Sequence, residues 1–203
     1  MNDLVIYIHG KGGSASECEH YKPLFPGREV EGIVYAADTP WDAGGELRCR
    51  IARLREKHDS IILIANSIGA FFSMYADVDK LIKRAFFISP IVNMEKLICG
   101  MMSQAGLTEN ELRSKGTVKT ADGNILSWKY LSYVRENPVL WRAPTEILYG
   151  SRDALTSYND VTAFAAEHNA GLTVMENGEH WFHTDEQMEF LDRWIIAKCK
   201  EEL

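Results

Sequence analysis

One serine lies between two apolar segments with different predicted structures. Ile61–Ala65 is a continuous apolar run typical of a buried parallel strand, and Ile68–Ala76 is apolar almost throughout, as in a buried helix. Ser67 therefore falls at a sharp strand-to-helix turn, with the small residues Ala65 and Gly69 two positions to either side. Such a turn exposes the hydroxyl at the carboxyl edge of the sheet, next to the amides of the helix N-terminus. The pattern predicts a nucleophilic serine.

A nucleophilic serine needs a general base, and the chain has six histidines. His180 follows the last predicted strand, Leu172–Met175, and precedes the last predicted helix. It should therefore lie on a loop at the same sheet edge as Ser67, where open α/β sheets place their active sites. We predict that His180 is the base, with His183, three residues later, as the alternative.

The base in turn needs a carboxylate that orients it, and Asp153 is the predicted one. It follows the strand Glu146–Tyr149, again at the carboxyl edge. An aspartate at this point is also common in simple turns. The order serine, aspartate, histidine along the chain favours the catalytic interpretation, in which Asp153 holds the imidazole in the tautomer that accepts a proton.

A glycine-rich loop, His9–Ser14, follows the first predicted strand. It lacks the glycine spacings of the phosphate-binding motifs. Glycines allow backbone amides to approach a ligand closely, as the oxyanion hole of a hydrolase requires. We predict the amides of Lys11 and Ile68 as the oxyanion donors, with Gly12 as the alternative to Lys11, and expect the Lys11 side chain to face solvent.

Taken together, these segments resemble the α/β-hydrolase superfamily over essentially the whole chain. HGKGGS is similar to its oxyanion loop, ANSIG to its nucleophile elbow, and YGSRD and GEH to its acid and histidine loops. Ala65 replaces the usual first glycine of the elbow. The resemblance implies a core that lacks the family's first two strands. A serine nucleophile disfavours the family's dehalogenases and epoxide hydrolases, which use aspartate, and its dienelactone hydrolases, which use cysteine.

Strand-like and helix-like segments alternate along the chain, which is typical of a three-layer α/β/α sandwich around an open, mostly parallel sheet. With the resemblance, we expect six strands in the order 2-1-3-4-5-6. The predicted strands are Leu4–Ile8, Gly32–Tyr35, Ile61–Ala65, Arg84–Ile88, Glu146–Tyr149 and Leu172–Met175.

Residues 91–140 interrupt this alternation with helix-like segments and no predicted strand. Connections of this length are uncommon unless they are functional, so we expect one domain, 1–203, in which 91–140 is a cap-like helical insert. Met94, Met101 and Met102 are flexible apolar residues suited to an adaptable pocket, and we predict that they line the substrate pocket together with Trp181. Alternatively, the methionines only pack the insert onto the domain.

Charge and composition restrict the class of partner. The formal net charge of −7 argues against nucleic acid, since phosphate contacts need clustered Lys and Arg. No segment approaches the ~18 apolar residues of a membrane span, and the N-terminal apolar run does not resemble a signal peptide. The four cysteines show no metal-binding spacing. We expect a cytoplasmic protein that uses no metal or cofactor and interacts with neither nucleic acid nor membrane.

The predicted function is a carboxylesterase-like serine hydrolase that cleaves a small-molecule ester through an acyl-enzyme on Ser67. A thioesterase or an acyltransferase would use the same residues, because these determine the machinery and not the leaving group. A catalytically silent binding module on the same fold is the alternative from another class.

Overall fold

A computed structural model describes residues 3–200 of the chain. Its main sheet has six strands in the order β2-β1-β3-β4-β7-β8, and every neighbouring pair is parallel. The α/β class and the order 2-1-3-4-5-6 are confirmed. The strands are β1 (Asp3–Ile8), β2 (Glu29–Gly32), β3 (Ser60–Asn66), β4 (Arg84–Ile88), β7 (Thr145–Gly150) and β8 (Gly171–Met175).

The central strands are aliphatic because both faces of the sheet are covered. On one face, Val5 and Tyr7 of β1 share a buried cluster with Leu191, Trp194 and Ile195 of the last helix. Alternate residues of β1 face the opposite layer. The helices of this α/β core are α1 (Pro40–Arg55), α2 (Ile68–Tyr75), α6 (Tyr158–Glu167) and α7 (Asp185–Lys200), with 3₁₀ segments at Ala15–Leu24 and Asp79–Leu81.

The position of the second strand differs from the prediction. The structure has β2 at Glu29–Gly32 rather than at Gly32–Tyr35, and Val34 is 83% exposed. Within the described residues, β2 lies at the edge of the sheet next to β1, so it alternates charged and apolar residues instead of forming an apolar run. The chain leaves the strand at Gly32, where a Cβ would lie 1.9 Å from the carbonyl oxygen of Ala15.

The chain divides into two compact units, and the second one, Asn93–Val139, interrupts the first between β4 and β7. The second unit contains α3 (Met94–Gln104), α4 (Glu109–Lys115) and α5 (Trp128–Glu136). Arg135 of α5 binds Glu95 of α3 at 2.7 Å and Glu109 of α4 at 2.6 Å, so one guanidinium joins all three helices.

This second unit also contains strands, which the sequence analysis did not predict. β5 (Thr117–Lys119) and β6 (Ile125–Ser127) form a two-stranded antiparallel hairpin. Each strand has three residues, and Ile125 is 68% exposed while Leu126 is buried. Strands this short produce no apolar run or extended alternation in the sequence, so the expectation that this segment contains no strand was wrong.

Candidate active site

Ser67 lies at the turn between β3 and α2 in a conformation that residues other than glycine rarely adopt. Its φ is 53° and its ψ is −120°. Its amide donates to the carbonyl of Ile88 in β4 at 2.9 Å, so the turn is tied to the neighbouring strand. A strained backbone of this kind persists where the surrounding structure holds it, and such positions cluster at functional sites.

Small residues around Ser67 allow the strand, the helix and the glycine-rich loop to approach closely. A Cβ on Gly69 would lie 2.5 Å from the carbonyl oxygen of His9 and 2.7 Å from that of Ile8. A Cβ on Gly10 would lie 3.2 Å from the Cβ of Ser67. The start of the glycine-rich loop is therefore packed against the serine.

His180 is hydrogen-bonded to both other predicted catalytic residues. Its Nε2 lies 2.8 Å from Ser67 Oγ, and its Nδ1 lies 2.7 Å from Asp153 Oδ2. An ionised carboxylate can only accept, so the imidazole proton belongs on Nδ1 and Nε2 can accept the serine proton. The Asp153 side chain is fully buried, and that of His180 is 17% exposed.

The second carboxylate oxygen of Asp153 is also fully occupied. Oδ1 accepts from the amides of Leu155 at 2.8 Å and Thr156 at 2.9 Å. The Thr156 hydroxyl donates to the carbonyl of Pro90 at 3.1 Å, and the Tyr149 hydroxyl donates to the carbonyl of Thr156 at 2.9 Å. Burial, with the charge of Asp153 as a further cause, raises the pKa of Tyr149. These contacts fix the carboxylate toward His180.

The loops that carry the acid and the histidine are in direct contact. The amide of Arg152 donates to the carbonyl of Gly178 at 2.8 Å. A Cβ on Gly150 would lie 2.5 Å from the backbone of Gly178, so neither loop has room for a side chain at this crossing. This backbone contact sets the separation of Asp153 and His180.

The predicted oxyanion donors lie in two adjoining structures. Lys11 and Gly12 occupy a tight turn that is closed by a bond from the Gly13 amide to the Gly10 carbonyl at 3.1 Å, and Gly12 has a φ of 79°. Ile68 is the first residue of α2, where an amide has no acceptor within the helix. The Lys11 residue is exposed. The oxyanion role of these amides stays a prediction.

Solved structures resemble this chain over nearly its whole length. Est1E from Butyrivibrio proteoclasticus is 18% identical, with a TM-score of 0.74 over 98% of this chain and 87% of that chain. Alpha/beta hydrolase domain-containing protein 10 from mouse is 14% identical, with a TM-score of 0.72 over 98% of this chain and 90% of that one. The chain has the α/β-hydrolase fold. Another structure of Est1E contains ferulic acid.

A third solved structure, that of the esterase Pf2001 from Pyrococcus furiosus, is 21% identical, with a TM-score of 0.56 over 98% of this chain and 81% of that chain. No protein-family model matches the chain. No curated protein matches it significantly either. The likeness therefore extends to the α/β-hydrolase fold and not to a particular activity.

The alternative base is hydrogen-bonded elsewhere. His183 Nδ1 lies 2.7 Å from the carbonyl oxygen of Trp181, and the two rings stack with centroids 4.6 Å apart. Trp181 itself is 68% exposed. Between the two candidate histidines, the one that lies on Ser67 in this α/β-hydrolase fold is His180.

The predicted pocket residues do not all belong to the same unit. Trp181 is in the first unit, whereas Met94, Met101 and Met102 lie on α3 of the second. Met94 and Met102 are buried, and Met101 is partly exposed. That these four residues line the substrate pocket stays a prediction.

Sequence reasoning missed several polar groups around the glycine-rich loop. The Tyr35 hydroxyl donates to the carbonyl of His9 at 2.7 Å, and its ring stacks on that histidine. Tyr7 of β1 donates to Glu17 from inside the core. The available signal was a tyrosine in an otherwise aliphatic strand, since a buried phenol needs a hydrogen-bond partner.

Other features of the described residues lie apart from the triad. A cleft of about 450 Å³, lined in part by Arg84, Arg142 and His168, lies at the amino ends of β4 and β7, opposite the edge that carries Ser67. Within residues 3–200, no three His, Cys, Asp or Glu side chains form a metal-binding group. No helix in that range has the length and apolarity needed to cross a bilayer.

Proposed function

We propose that the protein is a serine hydrolase that cleaves a small ester through an acyl-enzyme on Ser67. The observation that carries this proposal is the continuous hydrogen-bonded chain from Asp153 through His180 to Ser67, with distances of 2.7 Å and 2.8 Å. The nucleophile, the base and the orienting acid all lie at the carboxyl edge of a parallel sheet, where substrates reach open α/β folds.

In the first step, Ser67 Oγ attacks the ester carbonyl while His180 Nε2 takes its proton. Asp153 stabilises the imidazolium that forms and keeps Nδ1 protonated. His180 then donates the proton to the leaving alcohol, which leaves an acyl group on Ser67. In the second step, His180 takes a proton from water as the water oxygen attacks the acyl carbonyl; the bond from the acyl carbon to Ser67 Oγ then breaks, His180 returns the proton to Oγ, and the free acid leaves.

The negative charge that develops on the carbonyl oxygen needs hydrogen-bond donors. The amide of Ile68, at the N-terminus of α2, is one proposed donor, and the amide of Lys11 or Gly12 is the other. Backbone amides suit this role because they are fixed before the reaction and require no reorganisation in the transition state.

The structural neighbours support an ester as the first substrate class to test. Two of them are named Est1E and esterase Pf2001. Because Est1E also occurs with bound ferulic acid, alkyl esters of aromatic acids such as methyl ferulate belong in the screen beside p-nitrophenyl esters of increasing chain length. Acyl-CoA thioesters test whether the same residues act on a thioester.

A fluorophosphonate probe tests the mechanism directly. The wild-type protein should be labelled on Ser67, and Ser67→Ala should be neither labelled nor active. His183→Ala is the matched control, since it removes the neighbouring histidine, and it should retain labelling and most activity. A folded wild-type protein that is neither labelled nor active on any of these esters or thioesters would instead be a binding module.

A further inference from the structure

A network of polar side chains lies beside the glycine-rich loop and is not used by the proposed mechanism. Tyr7 of β1 is 1% exposed, and its hydroxyl donates to the Glu17 carboxylate. The side chain of Asn66 lies near the same phenol and by itself lowers its pKa. Burial, reinforced by Glu17, raises the pKa of Tyr7 far above its usual range, so the phenol remains a neutral donor.

At one end, this network holds the glycine-rich loop. Glu17 Oε1 accepts from the amide of Ser14 at 3.1 Å. The same carboxylate lies against the backbone of Gly13, where a Cβ would approach Oε1 to 2.7 Å. Gly13 in turn closes the tight turn with Gly10, which packs against Ser67. The carboxylate therefore anchors the end of the turn that contains both candidate oxyanion amides.

At the other end, this network adjoins the turn that carries the nucleophile. Asn66 is the last residue of β3 and directly precedes Ser67. β1, which carries Tyr7, pairs directly with β3, so Tyr7 links the strand that leads to the elbow with the carboxylate that holds the loop. The Tyr7 ring is buried while Glu17 is exposed, so their hydrogen bond lies at the edge of the core, and linked hydrogen bonds reinforce one another. A phenylalanine at position 7 would fill the same space without requiring any partner, so packing of the core alone does not explain the hydroxyl.

We infer that Tyr7 and Glu17 are positioning residues that hold the glycine-rich loop in register with the nucleophile elbow, so that a loop amide points at the developing oxyanion. This inference rests on the proposed function, because it assigns the two residues a role in that reaction. Neither side chain needs to touch the substrate. Their effect should appear in the transition state rather than in substrate binding.

The test uses Glu17→Gln and Tyr7→Phe in the full-length protein. Glutamine offers one acceptor oxygen instead of two, so it can accept from the Tyr7 hydroxyl or from the Ser14 amide but not from both, and its NH₂ group can only donate at the other position. Phenylalanine keeps the ring and removes the hydroxyl. Asp192→Asn is the matched control: Asp192 binds His20 Nε2 at 2.7 Å and so ties the same 3₁₀ segment to α7, away from the loop.

The readouts are kcat and KM for p-nitrophenyl acetate, inhibition by phenylboronic acid, and the melting temperature. Phenylboronic acid forms a tetrahedral anion on the serine and so reports on the oxyanion site. We expect kcat to fall about 10- to 100-fold in both variants, the effect of a small misplacement of catalytic groups, with KM changed less than about twofold. The boronate inhibition constant should rise by the same factor as kcat/KM falls. Asp192→Asn should match the wild type in both kcat and boronate inhibition.

If folded Glu17→Gln and Tyr7→Phe both show wild-type kcat and boronate inhibition, the inference is overturned. The proposed function still stands in that case, provided that Ser67→Ala is inactive. A loss of activity that follows the melting temperature, or that appears equally in Asp192→Asn, would also overturn it by showing a purely structural role. If Tyr7→Phe does not fold, Glu17→Gln alone decides. Full activity in Ser67→Ala would instead refute the proposed function itself.

Discussion

Replacing Asp153 by asparagine should separate catalysis from folding. Asparagine has the same shape, and its oxygen can still accept from the amides of Leu155 and Thr156, which lie 2.8 Å and 2.9 Å from Oδ1. Its NH₂ group then faces His180 Nδ1 and must donate to it. The imidazole proton moves to Nε2, so this nitrogen, which faces Ser67 Oγ, can no longer accept the serine proton.

The size of the effect follows from this exchange of donor and acceptor. The wrong tautomer should lower kcat by about 10⁴-fold, which corresponds to about 5 kcal/mol of activation free energy. The free energy of unfolding should change little, since each buried donor keeps a partner. Asp153→Ala, in contrast, leaves the part-buried Thr156 amide and His180 Nδ1 without an acceptor, at about 1–3 kcal/mol each. For a chain of this size, the melting temperature should fall by about 2–4 °C for each kcal/mol lost.

The assay is hydrolysis of p-nitrophenyl acetate, with thermal melting of the same preparations. Asp192→Asn is the matched control, because it makes the same substitution at another histidine–aspartate pair, with His20, and should retain wild-type activity. An Asp153→Asn enzyme within tenfold of the wild type would refute the tautomer argument. A melting temperature as low as that of Asp153→Ala would refute the claim that asparagine preserves the loop.

Ser67→Ala should lower kcat by about 10⁴-fold or more with little change in melting temperature, and Ser67→Gly should melt no lower than the alanine variant, because glycine adopts a φ of 53° without strain. Thermal melting of Gly69→Ala should show a loss of about 1–3 kcal/mol, since the added methyl meets the His9 carbonyl, whereas Gly45→Ala, with open space around it, should gain about 0.5–1 kcal/mol. Met101→Ala tests the predicted pocket: an unchanged chain-length preference on p-nitrophenyl esters would remove Met101 from it.

The parts of the fold that could be predicted are those where burial leaves a pattern in the sequence. β1 and β4 are buried along their whole length and β3 along all but its two end residues, so each contains a continuous apolar run. β2 is half exposed at the sheet edge, and its two glutamates interrupt any apolar run that would have identified it. Val34 suggested a strand that extends past residue 32, but in the structure the strand ends at Gly32. Local sequence patterns indicate burial, and edge strands and hairpins with three-residue strands bury few residues.

The candidate site was accessible to sequence reasoning for a different reason. Ser67, Asp153 and His180 each follow a strand, so a parallel sheet brings them to one edge whatever the details of the loops. The contacts of Tyr7 and Glu17 depend on how a 3₁₀ segment folds back onto β1, and no periodicity encodes that path. The sheet topology predicts which strand ends lie together, whereas side-chain hydrogen bonds across irregular segments can be identified only from the three-dimensional structure.

The contact between Gly150 and Gly178 has a consequence for how the chain tolerates insertions. The acid and the base lie within one contiguous stretch, residues 150–180, whose geometry is closed by its own backbone contacts. Meanwhile, β4 pairs directly with β7, although residues 93–139 separate them in sequence. Additional chain between these strands therefore leaves the aspartate–histidine spacing untouched. Segments of varied length could be exchanged at this point without rebuilding the proton-transfer machinery.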